Sequence, residues 1–245
     1  MANLRFYTNS PLQINTIVQL SESAAAHAGK ALRLEAGDEA TLFNGDGFDY
    51  RCTLTEVKKN AVSAQIISAE KINSESPLDI TLLQAISSGD RMDFTIQKAV
   101  ELGVRLIQPI NSQRSVVKLT AERAEKRTEH WQNIAISACE QSGRAFVPKV
   151  LPPLALDKWL SLNPQQNELR IQLNPIGAKR LAEISKPSSS NITLLIGAEG
   201  GLSPEEIDTA TKNGFESILL GPRILRTETA ALTAIATMQT LWGDF

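Results

Sequence analysis

The chain has 245 residues, a net charge of −2 and 42% hydrophobic residues. That composition excludes a disordered or fibrous protein, speaks against nucleic-acid binding through bulk charge, and leaves room for one large domain or two modest ones. No stretch approaches the roughly 18 consecutive apolar residues of a membrane span, the first residues carry no signal-peptide run, and two distant cysteines, Cys52 and Cys139, suit a reducing cytosol better than a disulfide framework.

Residues 1 to about 72 read as β. Arg5-Phe6-Tyr7 opens a short strand, and Ser21 to Leu34 is the single helical stretch, with Leu20, Ala24, Ala28, Ala31 and Leu32 in phase. Ala40–Phe43, Tyr50–Val57 and Val62–Ser68 read as strands, the first two joined by the hairpin turn Asn44-Gly45-Asp46-Gly47. Short strands this close together predict a small barrel. Glu70 to Pro77 is polar and ends in proline, so it is the expected linker. The expected domains are 1–72 and 73–245.

After the linker the pattern changes to strands alternating with helices. Ile80–Ile86, Leu106–Ile110 and Leu169–Leu173 are predicted strands. Met92–Leu102, Thr120–Ser142 and Ala178–Ile184 are predicted helices, with Gly103 and Gly143 closing the first two. Such alternation predicts an α/β domain on a mainly parallel sheet. From Arg114 to Lys149 seven basic residues face four acidic ones. That stretch is either a local phosphate-binding stripe or a solvated helix face.

The last quarter repeats one plan twice. Leu194, Leu195 and Ile196 run into Gly197, Gly200 and Gly201, and Ser203-Pro204-Glu205-Glu206 then forms a capping box with proline at the first helical position. Ile218–Leu220 runs into Gly221-Pro222, with Thr227 as the expected N-cap of a helix from Glu228 to Trp242. Glycines let a ligand approach bare backbone, and two such loops at the carboxyl ends of parallel strands would make a crevice. The spacing is neither a dinucleotide fingerprint nor a phosphate loop. The final helix is apolar nearly all round, so it is buried on more than one side, within the chain or against a second copy.

These two stretches carry a resemblance. Ile196-Gly-Ala-Glu-Gly-Gly-Leu-Ser203 and Leu220-Gly-Pro-Arg-Ile-Leu-Arg-Thr-Glu-Thr-Ala230 resemble the C-terminal signature of the RsmE-type ribosomal RNA uridine-N3 methyltransferases of the SPOUT (trefoil-knotted) superfamily. The match departs at Ala198, where the family usually has proline. Ser88–Phe94 and Ala138–Arg144 are also similar to family motifs. The resemblance implies an N-terminal PUA-like β-barrel that docks RNA, a C-terminal α/β domain with a knotted parallel sheet, a cytosolic homodimer and no metal. The implied cofactor is S-adenosylmethionine, and the implied substrate is N3 of a uridine in small-subunit ribosomal RNA, in an assembled particle.

The resemblance also assigns residues. The turn Leu173-Asn174-Pro175 and the first loop, through Ile196, Gly197, Glu199, Gly200 and Gly201, are expected to hold the cofactor. So are Leu220, Gly221, Ile224, Leu225, Thr227 and Ala230 of the second. Arg5, Arg114, Glu140, Arg144 and Arg223 become candidates for contact with RNA. Arg226 is the candidate cation beside the uracil and Glu228 a candidate base. Their bland alternatives are a salt bridge from Arg226 to Glu228 or Glu199, and an acid that complements a helix dipole. A non-catalytic RNA-binding factor and an α/β enzyme for a small nucleotide are the rival readings. Intact glycine loops speak against the first, and missing phosphate-loop motifs against the second.

Overall fold

The computed structural model describes residues 4–58, 61–174 and 179–245. The chain divides into two units, Met1–Glu75 with Cys139–Val147, and Ser76–Ala138 with Pro148–Phe245. The first unit therefore takes in a segment that the sequence pattern assigns to the second domain.

In the first unit β1 (Arg5–Tyr7), β2 (Ile17–Gln19), β3 (Glu39–Phe43), β4 (Phe48–Lys58) and β5 (Ala61–Lys71) form one sheet in the order β1-β3-β4-β5-β2. β1 pairs with β3 in parallel and the other pairs are antiparallel. The predicted linker begins later than expected, because Glu70 and Lys71 still pair with Asp49 and Phe48. Alternate strand residues Phe6, Leu42, Cys52, Leu54, Ala64 and Ile66 fill the core, as a period of two with one buried face requires. α1 (Glu22–Ala26) starts at Ser21, whose hydroxyl accepts from the Ala24 amide, and loosens into a π turn over His27–Ala31. Residues 139–147 are tied in through Arg5, whose Nη1 donates to the Cys139 carbonyl at 2.8 Å.

The second unit contains β6 (Asp79–Ala85), α2 (Asp90–Glu101), β7 (Leu106–Asn111), α3 (Ala121–Ser142, its last turn in the first unit), β8 (Lys149–Val150) and β9 (Leu154–Ala155). α4 (Leu156–Leu162), β10 (Leu169–Leu173), β11 (Lys179–Arg180), β12 (Asn191–Ile196), α5 (Pro204–Lys212), β13 (Phe215–Leu219) and α6 (Thr227–Trp242) complete it. The strands pair in the order β11-β13-β10-β12-β6-β7-β8, with β9 on β7, and every pairing is parallel. Central strands buried on both faces read as unbroken apolar runs; in Ile192–Ile196 every residue is buried.

Sequence periodicity missed α4, whose Leu156, Trp159 and Leu160 pack with Leu83, Leu195 and Phe215 at helical spacing. The predicted helix over 178–184 is instead the short β11 and a 3₁₀ turn over Leu181–Glu183, with residue 178 outside the described residues. Arg170 lies wholly buried in β10, paired with Glu168, donating to the Asn163 and Asn213 carbonyls, and flanked by the rings of Trp159 and Phe215. A charge held there needs all of those partners. No helix among the described residues is long and apolar enough to cross a membrane.

Candidate active site

Three adjacent strands, β13, β10 and β12, end side by side and their exit loops enclose a cavity of about 300 Å³. Leu173 and Asn174 come from β10, Ile196 to Gly201 from β12, and Ile218 to Leu225 from β13, with Thr227 and Ala230 of α6 closing the floor. Crevices outside the carboxyl ends of parallel strands are where open α/β sheets bind ligands. Every described residue expected to hold a cofactor lines this cavity; Pro175 lies outside the described residues.

The glycines of the first loop do different jobs. Gly201 takes a φ of 71°, and its amide donates to the Ala198 carbonyl at 2.8 Å. That tight turn closes with alanine at 198, where a proline was the reference expectation. Gly197 is fixed by space, since an added Cβ would lie 2.6 Å from the Gly201 carbonyl carbon and 2.7 Å from the Leu202 amide nitrogen. Gly200 backs onto Arg114, whose Cβ would lie 3.4 Å from an added Cβ and whose Nη1 donates to the Gly200 carbonyl at 3.0 Å. In the second loop Gly221 has a φ of 146°. An added Cβ at Gly201 or Gly221 would meet no protein atom within 4 Å, so both expose bare backbone to open space.

Thr227 is the first residue of α6 rather than its cap; Arg226 holds the cap position and offers no side-chain hydrogen bond to the helix. The buried Thr227 hydroxyl instead accepts from Gln84 Nε2 at 2.9 Å and donates to the Gly197 carbonyl at 2.6 Å. On α2 the cap position is held by Gly89, with a φ of 58°. The residues on either side of Gly89-Asp90 reach Glu199. Ser88 donates through its amide and its hydroxyl, each at 2.8 Å, and Arg91 through Nη1 at 2.9 Å, all to Oε1 of Glu199. Burial pushes the Glu199 carboxyl up, but the Ser88 and Arg91 hydrogen bonds outweigh it and bring it down to about 2.

A second cavity of about 300 Å³ shares Glu199, Ile224, Leu225 and Thr227 with the first and adds Arg91, Arg226 and Glu228. Glu199 is taken by Arg91, and among the described residues the Arg226 guanidinium has no ion pair. Glu228 Oε2 is buried without a hydrogen-bond partner, a state that costs about 1–3 kcal/mol and that native proteins rarely leave unused. Ser88 and Arg91 fall in the Ser88–Phe94 stretch that is similar to a family motif, but no site role was expected of either; Ser88 lies between β6 and α2, and Arg91 is in the first turn of α2.

The candidates for RNA contact divide. Arg223 is exposed on the lining of the first cavity, and Arg114 is exposed against Gly200 of its first loop. Arg5 and Arg144 are each only 3% exposed. Arg5 pairs with Asp49 and Arg144 with Glu75. Glu140 accepts from the Tyr7 amide at 3.0 Å, and burial raises its pKa. These three side chains tie residues 139–147 to the rest of the first unit.

The RNA methyltransferase domain family matches residues 74–239, and the RNA methyltransferase PUA domain family matches residues 20–67. The ribosomal RNA small subunit methyltransferase E of Buchnera aphidicola subsp. Schizaphis graminum is 37% identical over 98% of this chain and 97% of its own. This chain belongs to the ribosomal RNA small subunit methyltransferase E family. The family's PUA domain corresponds to the first unit and its methyltransferase domain to the parallel sheet and both cavities. Among solved structures, a Neisseria gonorrhoeae ribosomal RNA small subunit methyltransferase E bound to S-adenosyl methionine is 45% identical, covers 98% of both chains and has a TM-score of 0.90. A Legionella pneumophila protein in complex with the bound cofactor SAM is 40% identical, covers 99% of both chains and has a TM-score of 0.94.

Proposed function

We propose that this chain uses S-adenosylmethionine to methylate N3 of a specific uridine in small-subunit ribosomal RNA. The observation that carries the reading is the pair of joined cavities, one apolar and glycine-lined, the other bearing an unpaired guanidinium and an orphaned carboxylate oxygen. The first fits the cofactor. Ile196, Leu220 and Leu225 supply apolar walls, and Gly201 and Gly221 supply backbone that nothing screens. When bound, S-adenosylmethionine supplies an electrophilic methyl group on a sulfonium.

The chain's own part is positioning and charge. Uracil N3 is a poor nucleophile while it holds its proton. Arg226 sits where a guanidinium stabilises negative charge developing on a uracil carbonyl. Glu228 Oε2, buried and free of partners, accepts the N3 proton. Arg91, held by Glu199, adds a second fixed cation to the same cavity. Apolar walls keep water from competing for the methyl group.

The finer architecture is part of the proposal. The five-stranded sheet closes as a PUA-like barrel over about residues 1–72 and docks RNA in an assembled particle. Residues 73–245 carry the trefoil knot, and the enzyme works in the cytosol as a homodimer. A dimer is supported by Ile224, 93% exposed at the rim of both cavities, and by Leu241, 42% exposed on α6; apolar side chains this open invite a partner. Small ribosomal subunits from cells lacking the gene, treated with enzyme and cofactor and mapped by mass spectrometry, test the reaction. One uridine gaining a single methyl at N3 is the expected result. Methylation of a different base or atom, or none, overturns it.

A further inference from the structure

The basic and acidic side chains of α3 are sorted by side. At about 100° per residue, Arg123, Arg127 and His130 fall within roughly 60° of one another. Glu122, Glu125 and Glu129 cluster as tightly, roughly 140° further round the helix. The inward face lies nearer the first group, through the buried Trp131, Ala135 and Ala138. Lys126 lies between the clusters and is paired with Glu122. Arg123 and Arg127 are exposed, and among the described residues neither guanidinium makes a hydrogen bond or ion pair. Lys118, exposed just ahead of the helix, has none either. A helix that merely needed solubility would interleave its charges to pair them; this one concentrates unpaired cations on one shoulder.

That shoulder is tied to α2 close to the site. His130 Nε2 meets Asp93 Oδ2 at 2.6 Å and Trp131 Nε1 donates to Asp93 Oδ1 at 3.1 Å. The basic side is thereby fixed to the first turn of α2, two residues from Arg91 in the second cavity. The segment that leads into α3 is also tied to the site. It follows β7, which is parallel to β12, so residues 112–120 leave the sheet on the edge where the glycine loops lie. There the Gln113 amide donates to Glu206 Oε1 at 2.8 Å and Arg114 reaches the Gly200 carbonyl.

We propose that Lys118, Arg123 and Arg127 form a phosphate-binding track along α3 that carries the RNA strand leading to the target nucleotide. The track rests on the proposed RNA methylation, and it extends the RNA contact beyond the PUA domain onto the methyltransferase domain itself. A row of unpaired cations on an acidic protein attracts a polyanion locally without binding it everywhere. Its contacts are to phosphate, so they position the strand and do not read sequence.

The test is a salt titration. Binding of a small-subunit ribosomal RNA transcript is measured by filter retention over a range of potassium chloride concentrations, for wild type and for Arg123→Gln/Arg127→Gln. Two lost phosphate contacts should reduce the slope of log K against log salt by about 1.4–1.8. Calorimetric affinity for S-adenosylmethionine and the melting temperature should not move. Lys158→Gln/Lys212→Gln, which removes the same charge elsewhere on the second unit, should leave the slope alone. A wild-type slope in Arg123→Gln/Arg127→Gln, or an equal change in the control pair, overturns the track while RNA methylation stands. A wild-type protein with no salt-dependent RNA binding overturns both. If Arg123→Gln/Arg127→Gln melts early, Arg127→Lys alone, which keeps the charge, must retain the wild-type slope for the track to hold.

Discussion

The Thr227 hydroxyl donates to the Gly197 carbonyl at 2.6 Å, so the first residue of α6 fastens the two cavity loops to each other across 30 positions of sequence. The same oxygen accepts from Gln84 Nε2, which adds β6 to the junction. Thr227→Val keeps the shape and removes the hydroxyl. It leaves the part-buried Gly197 carbonyl without this donor and the buried Gln84 amide with the Ala85 carbonyl as its remaining acceptor, and should cost about 1–3 kcal/mol of stability. Cofactor affinity should fall as the loops part. Urea unfolding alongside calorimetric titration checks both, and an unchanged affinity would show that the junction serves folding alone.

Gly197→Ala should be worse than Gly200→Ala, although both glycines lie in the same turn. A Cβ at 197 presses on backbone at 2.6 Å, whereas one at 200 touches the Arg114 side chain at 3.4 Å, and that side chain can give. Overpacking against backbone costs about 1–3 kcal/mol or more. The ranking, read from stability and from cofactor affinity, is the expected outcome. Equal effects would mean that the loop rearranges freely.

Glu199 gives the site a dependence on pH. Its carboxyl is lowered from 4.5 to about 2. A depressed acid contributes stability that is fully present above its unfolded value and is lost as pH falls through the folded one. The benefit of Glu199 over Glu199→Gln should therefore be constant above about pH 4.5 and fade between there and about pH 2. Melting curves of the two proteins across that range should converge at the acid end. Parallel curves throughout would show that the ionised form is not favoured by Ser88 and Arg91.

Much of this was legible in the chain. The parallel sheet followed from apolar runs such as Leu194–Ile196, and the α5 cap from Ser203-Pro204-Glu205-Glu206, where Ser203 accepts from the Glu206 amide and Glu206 returns the bond. A crevice between the two loops was expected from the glycines, and its individual residues from the family resemblance. What stayed hidden was the pairing of distant polar groups. Nothing local at Glu199 announces Ser88 and Arg91, more than a hundred positions earlier. Arg5 and Arg144 stood as candidates for RNA contact, and a sequence does not show that Asp49 and Glu75 are folded against them. Thr227 was misplaced by one position because its hydroxyl prefers the Gly197 carbonyl to the helix amides it was expected to cap.

A dimer should cover Ile224. Light scattering at micromolar concentration should give the mass of two chains for the wild type. Ile224→Asp, which charges a side chain that is 93% exposed in the single chain, should shift the population towards one chain without lowering the melting point of the monomer. A wild-type mass of a single chain refutes the dimer outright.

Arg226 is the sharpest test of mechanism. Its guanidinium lines the second cavity, and Glu199, one of the two acids that could have neutralised it, is held by Arg91 instead. A fixed cation here acts on charge that appears only as uracil N3 loses its proton, so it stabilises the transition state more than the bound substrate. Arg226→Ala should lower the single-turnover methylation rate by roughly a hundredfold or more, the scale of losing one such electrostatic donor. Cofactor affinity and melting temperature should stay close to wild type, because the exposed side chain makes no internal bond among the described residues. Raising the pH should partly restore the rate, since more of the uridine is then deprotonated before it binds. Arg226→Lys should recover only part of the loss, because a point charge cannot reproduce a planar fork of donors. A purely structural arginine would give the opposite pattern, with an early melting point, weaker cofactor binding and no recovery at high pH. A folded, cofactor-binding Arg226→Ala enzyme with a near-normal rate at neutral pH would remove Arg226 from the chemistry and leave Arg91 as the cation to test.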